Sequence, residues 1–346
     1  MLYLTTRDSQ DAYTAARSLS ENRCPEGGFF VPMRLPLFDQ RQIEALAEKS
    51  FSQNMADILN LLFSTRLDSW GVEFGIGRYP VKLVPLNGKI IVAEAWHNPV
   101  WRFDRLASGV EKAIRQSDQI SKSPTDWLMI ATRIAVLFGI YGQLLQSGAL
   151  SRGQKLDLSV PSGNFSAPMA AWYARRMGLP IGTIVCSCNE NTALWNLFHK
   201  GQLHTGAIAV RTHTPDCDYS VPDDLERLIY AVLGRKETER FCETCRVGGS
   251  FELELEQVKR LRDGFYISVI SDKRMASTVP NLYKTTGCVA DPYTSLAYCG
   301  LIDYRAAEGE SRPALIMSEE SPVFSMQFLA QCMGITAAEL KQILDQ

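Results

Sequence analysis

Residues 161–167 read Pro-Ser-Gly-Asn-Phe-Ser-Ala, and they connect a predicted strand to a predicted helix. At such a junction the main-chain N–H groups point out of the start of the helix, where the helix dipole favours negative charge. Gly163 permits a tight turn close to a ligand, and the polar side chains around it add hydrogen-bond partners. The pattern predicts a phosphate or carboxylate site, or alternatively an ordinary turn in which Asn164 caps the helix. The predicted anion-binding residues are Ser162, Gly163, Asn164, Phe165, Ser166 and Ala167.

A second group of chemically active side chains consists of His97, Arg102, Asp104 and Arg105. A histidine, a carboxylate and two guanidinium groups at this spacing can exchange protons with an anionic ligand. We therefore predict His97, Arg102 and Asp104 as candidate catalytic residues. In the alternative interpretation, Asp104 and the two arginines form a solvent-facing salt-bridge cluster and His97 belongs to a turn.

Two cysteine pairs have spacings that metal or redox sites use. Cys242 and Cys245 form a CxxC pair, and Cys186 and Cys188 are separated by one residue. Thiols at these spacings can bind zinc or undergo redox chemistry. The CxxC pair lies in a charged, helical stretch that no βαβ pattern follows, and this favours structural thiols. We predict no metal ligands, and the nine cysteines fit reduced thiols in the cytoplasm.

The composition indicates a globular protein. A length of 346 residues corresponds to about two domains, and 46% apolar residues are ample for a packed core. With 36 basic and 38 acidic residues, the net charge of −2 gives no field that would recruit nucleic acid or a membrane surface.

Charges at Arg7 and Asp8 precede any long apolar run, so we expect no export. Residues 127–145 approach the length of a membrane span, but Arg133 within them would cost about 2.5–3.5 kcal/mol, which favours a core helix.

Short β-type runs alternate with longer helical runs from the middle of the chain onward. This alternation is typical of an α/β protein with a mainly parallel sheet covered by helices. Upstream, residues 81–86 and 89–95 are predicted to form a hairpin around Asn87 and Gly88. We predict a smaller N-terminal region at 1–96 and a large α/β domain at 97–346. The predicted strands of the large domain are 155–160, 181–186, 265–270 and 314–317, and its predicted helices include 167–177.

The two segments described first also resemble motifs of the threonine synthase family. Residues 97–105 (His-Asn-Pro-Val-Trp-Arg-Phe-Asp-Arg) resemble H-G-P-T-x-x-F-K-D, and residues 161–167 resemble P-S-G-N-F-G-N. Further resemblances follow the family's order at residues 24–32, 189–191, 215–227 and 291–294. The chain is therefore identified as a member of this family. The resemblance implies a fold type II pyridoxal-phosphate enzyme in which the F-K-D lysine holds the cofactor as a Schiff base and the P-S-G-N-F loop cradles its phosphate.

The departures from the family pattern predict that this chemistry is lost. Asp104 occupies the lysine position, and an aspartate cannot form an imine. Only 23 positions separate Asp104 from Trp127, where the family has a lobe with an S-G-D-T-G loop, so we predict that this lobe is missing. Residues 318–322 stand where the family has S-T-A-H-P, which puts the hydroxyl partner of the cofactor ring in doubt.

Other lysines do not obviously replace the missing one. Lys112 lies about two helical turns, or ~12 Å, beyond position 104, and Lys89 and Lys200 have no motif around them. We interpret all three as solvated surface charges and predict no bound cofactor. A pyridoxal-phosphate enzyme that uses one of these lysines remains the alternative.

We therefore predict a threonine synthase-like homologue without Schiff-base catalysis that binds a phosphorylated or carboxylated small metabolite. It is either a non-catalytic regulatory or scaffold protein, or an enzyme of the lyase or cyclase type that works without pyridoxal phosphate. A sheet face exposed by the missing lobe is expected to be covered by a second copy of the chain or by a partner protein.

Overall fold

The structure is a computed structural model that describes residues 1–7, 11–77, 81–97 and 102–345. The helices are α1 Ala15–Ser20, α2 Gln40–Glu44, α3 Phe51–Phe63, α4 Ser69–Ile76, α5 Phe103–Arg115, α6 Asp126–Gln146, α7 Ser166–Arg176, α8 Ala193–Lys200, α9 Leu225–Leu233, α10 Arg235–Val247, α11 Leu255–Arg262, α12 Asp272–Thr286, α13 Pro292–Glu308, α14 Met326–Met333 and α15 Ala337–Leu344. The strands are β1 Leu2–Thr5, β2 Tyr13–Thr14, β3 Phe30–Pro32, β4 Lys82–Leu86, β5 Ile90–Glu94, β6 Leu156–Pro161, β7 Ile181–Cys188, β8 Gln202–His204, β9 Ser250–Glu252, β10 Phe265–Val269 and β11 Ala314–Ser318.

A central six-stranded sheet has the strand order β10-β7-β6-β11-β5-β4. All neighbouring pairs in it are parallel except β4 with β5, which form the predicted hairpin around Asn87 and Gly88. The predicted α/β class and the mainly parallel sheet are confirmed. The hairpin, however, belongs to this sheet, because Ile90 to Glu94 pair in parallel with Ala314 to Ser318. The predicted division into a region at 1–96 and a domain at 97–346 stays a prediction, and local pattern alone does not show which strand the hairpin pairs with.

Alternating side chains of the strands face two helical layers. On one face, Leu158, Val160 and Ile184 belong to the large core that includes α6 and α7. On the other face, Val185 and Ile316 pack against α13. The sheet is thus covered on both sides, as its continuous apolar strands require.

Helix α6 is the most apolar long helix and has the length and composition of a membrane span, yet 78% of its most apolar window is buried inside the structure. The predicted core helix is confirmed. The strand order of the small N-terminal sheet is β2-β1-β3, and this sheet packs on α6 through Tyr3. The Trp127 indole N–H donates to the Tyr3 hydroxyl over 3.0 Å, and that hydroxyl donates to the Leu62 carbonyl over 2.6 Å. Helix α5 leads to α6 through residues 116–125.

Candidate functional site

A cavity of about 330 Å³ lies at the carboxyl edge of the central sheet, beyond the ends of β6 and β11. This edge is where open α/β sheets bind ligands, because the connecting loops diverge there. The cavity brings together two segments that the sequence singled out, the start of α5 and the loop before α7. The polar and charged residues that line it are Arg102, Asp104, Asp126, Arg133, Ser162, Asn164, Ser166, Asp216, Cys217, Tyr219, Tyr293, Glu319 and Glu320.

The loop between β6 and α7 turns through two residues with positive φ, Gly163 at 48° and Phe165 at 72°. Its main-chain donors are partly occupied. The Gly163 N–H donates to Cys217 Sγ (3.3 Å), the Phe165 N–H to the Ser162 carbonyl (2.8 Å) and the Ser166 N–H to Asn164 Oδ1 (3.1 Å). Asn164 therefore binds the first N–H of the helix through its side chain, while Phe165 occupies the N-cap position.

Two amide groups of this loop remain available to a ligand. Among the described residues, the N–H groups of Asn164 and Ala167 have no hydrogen-bond partner. Both residues line the cavity, together with Ser162, Gly163 and Ser166. The anion-site and helix-cap interpretations of the loop are thus compatible.

Arg133 projects from α6 to this loop and connects it to the end of β11. Its Nε and Nη2 donate to the two carboxylate oxygens of Glu319 over 2.8 and 2.6 Å, and its Nη1 donates to Ser166 Oγ over 3.1 Å. The guanidinium also lies 4.5 Å from the centre of the Phe103 ring. Sequence reasoning used Arg133 only as an argument against a membrane span. A lone arginine within a buried apolar helix is itself a signal for such a buried partner.

Arg102 and Asp104 lie at the start of α5, where they meet Glu320. Arg102 Nε is 3.7 Å from Asp104 Oδ1 and 3.5 Å from Glu320 Oε1. The main chains of Arg102 and Glu320 also form an isolated β-bridge, which fixes the helix start against the end of β11. Burial raises the pKa of the Glu320 carboxyl to about 7, and Asp291 acts in the same direction while Arg102 opposes it.

Two predicted site residues do not line the cavity. His97 hydrogen-bonds to Glu94 through Nε2, and its ring stacks on Trp96 at 4.0 Å. Residues 98–101, the centre of its sequence segment, lie outside the described residues. Phe165 is fully buried, and its ring packs against Phe198. Phe165 therefore supports the loop from below rather than contacting a ligand.

The charges that line the cavity are mostly negative. Two guanidinium groups, of Arg102 and Arg133, face five carboxylates. Arg133 is already bound to Glu319, and Arg102 is shared between two acidic neighbours. The expectation of a simple anion site missed this acidity, because Asp126, Asp216 and Glu320 come from distant parts of the chain. The five carboxylates belong to Asp104, Asp126, Asp216, Glu319 and Glu320.

The thiols of this region are buried and protonated. Burial raises the pKa of Cys217 to about 12, and Cys186 shifts in the same direction. Cys242 and Cys245 lie on α10, where burial raises their pKa values to about 12 and about 11. Raised pKa values disfavour the thiolate that metal binding and redox chemistry need.

Lysines contribute nothing to the cavity lining among the described residues. Lys112 Nζ pairs with Asp118 at 2.6 Å, at the far end of α5. Lys89 lies in the turn between β4 and β5, and the Lys200 ammonium lies 5.2 Å from the centre of the Trp195 ring. Each of the three candidate replacements therefore has a position away from Asp104.

Comparisons with known proteins agree on one family. The family model described as threonine synthase N terminus matches residues 2–71. Threonine synthase-like 1 of Homo sapiens is 28% identical over 182 residues, which cover 51% of this chain and 24% of that protein. Threonine synthase of Pseudomonas aeruginosa is 27% identical over 184 residues, which cover 51% of this chain and 37% of that enzyme. The chain thus matches well under half the length of these relatives.

The fold is also that of solved threonine synthases. The PLP-bound threonine synthase from Brucella melitensis superposes with a TM-score of 0.82 at 17% identity, over 100% of this chain and 95% of that chain. The sequence matches support the threonine synthase family for this chain, and its fold is that of the solved threonine synthases.

Proposed function

We propose that this chain binds a small zwitterionic metabolite in the cavity between α5 and the loop before α7, and that it does so without forming a Schiff base. The observation that carries the proposal is the lining of the cavity. It offers free amides at Asn164 and Ala167 for a phosphate or carboxylate, and it surrounds them with an excess of carboxylates.

The acidity decides against a ligand that carries only negative charge. Two unit charges about 4 Å apart interact by about 4 kcal/mol at an effective dielectric constant of 20, whereas a neutral hydrogen bond contributes about 1 kcal/mol. The hydrogen bonds from two free amides are therefore too weak to offset the repulsion of an anion by several carboxylates. A ligand that also carries an ammonium group turns the same carboxylates, Glu320 and Asp216 among them, into attractive partners.

The lining residues do not fit pyridoxal phosphate held as a Schiff base. Asp104 occupies the position of the family lysine and lines the cavity as a carboxylate, and no lysine is among the described lining residues. Three N–H groups of the loop, those of Gly163, Phe165 and Ser166, already have partners within the protein. We therefore propose that threonine synthesis is not the activity of this chain.

The short connection between α5 and α6 supports the same proposal. Residues 116–125 join the two helices directly, and the six-stranded sheet is the only one with parallel pairs among the described residues. We infer that the catalytic lobe of the family is absent at this point. That a second copy or a partner protein covers the cavity stays a prediction.

A second candidate function, acid–base catalysis without a cofactor, rests on Glu320. A carboxyl whose pKa lies near 7 can both donate and accept a proton at neutral pH. Glu320 lines the cavity beside Arg102, which can hold an anionic group of a substrate. This replaces the predicted catalytic role of His97, which is bound to Glu94 instead.

Calorimetric titration with phosphoserine, inorganic phosphate and putrescine tests the proposal. We expect phosphoserine to bind at least tenfold more tightly than phosphate, because only phosphoserine satisfies both the amides and the carboxylates. Glu320→Gln should remove most of that preference, while Glu252→Gln, on exposed β9, should leave it unchanged. No heat from any of the three ligands, or a preference for bare phosphate, would overturn the proposal.

A further inference from the structure

A second concave surface lies at the opposite edge of the central sheet, a groove of about 540 Å³ between the ends of α7, α9 and α11. Three arginines line it, Arg175, Arg176 and Arg260, against one carboxylate, that of Asp263. We propose that this arginine groove binds a polyphosphate anion, such as the triphosphate chain of a nucleotide. The proposal is independent of the function proposed for the cavity.

Two of the three guanidinium groups of the groove donate to neutral acceptors. Arg175 Nη1 donates to the main-chain carbonyl of Asp263 over 3.4 Å, and Arg260 Nη2 donates to the main-chain carbonyl of Val232. Each guanidinium has five N–H donors, so one bond to a carbonyl fixes its position and leaves the other donors for a ligand. The charge stays uncompensated, since a carbonyl oxygen carries no net charge.

A glycine provides the space for Arg175. Gly264 has a φ of +80°, and a Cβ atom built there would lie 1.4 Å from Arg175 Nη1. The turn between α11 and β10 therefore accepts no side chain at this position without displacing the guanidinium. The Arg175 guanidinium therefore lies directly against the main chain of this turn.

The groove carries an excess of positive charge. Within the described ranges, Arg175, Arg176 and Arg260 have no carboxylate within salt-bridge distance. Some exposed arginines elsewhere pair with a neighbour, as Arg235 does with Glu239 and Arg240 with Glu237. Several guanidinium groups that line one groove without a carboxylate partner match the closely spaced charges of a polyphosphate, to which arginine binds through parallel hydrogen bonds.

Trp172 adds an aromatic surface beside the arginines. Its ring lines the groove, and the Arg176 guanidinium lies 5.8 Å from the ring centre. An indole next to phosphate-binding groups can stack on the base of a nucleotide. The shared chemistry of the proposal is the polyphosphate, and a base stacked on Trp172 would identify its source as a nucleotide.

Calorimetric titration of the full chain with sodium tripolyphosphate, ATP and adenosine tests the proposal. We expect one tripolyphosphate per chain, with an affinity that falls steeply between about 0.05 and about 0.5 M salt. Arg176→Gln and Arg260→Gln should each weaken binding by about tenfold or more, the contribution of a charge-assisted hydrogen bond. The matched control Arg66→Gln removes an exposed arginine outside the groove and should change nothing.

The titrations with ATP and adenosine distinguish a nucleotide from a bare polyphosphate as the ligand. ATP that binds more tightly than tripolyphosphate, and loses this advantage in Trp172→Leu, supports a nucleotide, and equal affinities support a bare polyphosphate. Binding of adenosine as tight as that of ATP contradicts the proposal. So does an absence of heat with tripolyphosphate at low salt, or equal affinity in the two groove variants and the control.

Discussion

Arginines in two regions of this chain have opposite surroundings. In the cavity, Arg133 is bound by both carboxylate oxygens of Glu319, and Arg102 lies between two acidic side chains. In the arginine groove, Arg175 and Arg260 are bound by main-chain carbonyls alone. The comparison shows that the number of arginines at a concave surface does not set the sign of its potential. The sign of the electrostatic potential depends instead on the groups that already bind those arginines.

The largest effect on stability is expected from removing Arg133. Arg133→Met leaves Glu319 without its partner at a site where the arginine side chain is only 11% exposed. Breaking a mostly buried ion pair should lower the free energy of unfolding by about 3 kcal/mol. Urea unfolding measures the change. The matched control is Arg235→Met, which breaks an exposed pair with Glu239 and should cost no more than about 0.5 kcal/mol. Equal losses of unfolding free energy in the two variants would show that the ion pair of Arg133 stabilises the fold no more than an exposed pair does.

The second effect depends on pH and sharpens the claim that the cavity is acidic. Because the pKa of Glu320 is raised in the folded state, to about 7, the folded protein binds more protons than the unfolded chain between about pH 4.5 and pH 7. The stability that Glu320 contributes is therefore lost as pH rises through this window. Glu320→Gln should be more stable than the natural chain by about 2 kcal/mol at pH 8. The unfolding free energies of the variant and the natural chain should converge near pH 5.

Denaturant unfolding at several pH values follows this difference. Subtracting the variant from the natural chain cancels carboxyls with raised pKa values that do not interact with Glu320, such as Asp157. A difference that does not change with pH would contradict the raised pKa of Glu320.

The loop glycine should have a moderate effect. At Gly163 a Cβ atom has 3.7 Å of clearance from the Asp216 carbonyl oxygen, so Gly163→Ala causes no clash but strains a backbone with a φ of +48°. We expect a loss of about 1–2 kcal/mol in unfolding free energy, together with weaker phosphoserine binding. Gly287→Ala, at a φ of +73° in open space, is the control. It should lose similar stability and keep the binding. Identical binding in both variants would remove the loop from the site.

The smallest effect concerns Ser166. Its hydroxyl accepts from Arg133 and is buried. Ser166→Ala should cost about 1 kcal/mol, the value of one hydrogen bond. In an Arg133→Met background the same change should cost clearly less, because the partner is already gone. Additive losses in a double-mutant cycle would show that the two residues do not interact.

The sequence predicts what depends on local pattern and fails where distant segments meet. The hairpin at Asn87 and Gly88 and the turn at Gly163 were predictable, because turn chemistry acts within a few residues. The contact between Arg133 and Glu319 joins positions 186 residues apart, and no local pattern announces it. Parallel pairing likewise brings β5 beside β11, a contact that local pattern does not show.

The cavity itself shows the same limit. Its loop was predicted from seven consecutive residues, whereas its charge depends on Asp126, Asp216 and Glu320, which three separate segments contribute. Phe165 was included among the predicted anion-binding residues because its main chain belongs to the loop, and the structure shows that its ring is buried. A residue's place in a binding segment thus predicts the course of its main chain better than the direction of its side chain.

The most direct test of the central claim, that the cavity no longer performs Schiff-base chemistry, is a reduction experiment. The purified chain is incubated with pyridoxal phosphate, reduced with borohydride and analysed by peptide mass spectrometry. We predict no stoichiometric phosphopyridoxyl lysine, because Asp104 stands at the lysine position and no described lysine lines the cavity. A stoichiometric adduct on Lys89, Lys112 or Lys200 would contradict the account and restore the chemistry of the family.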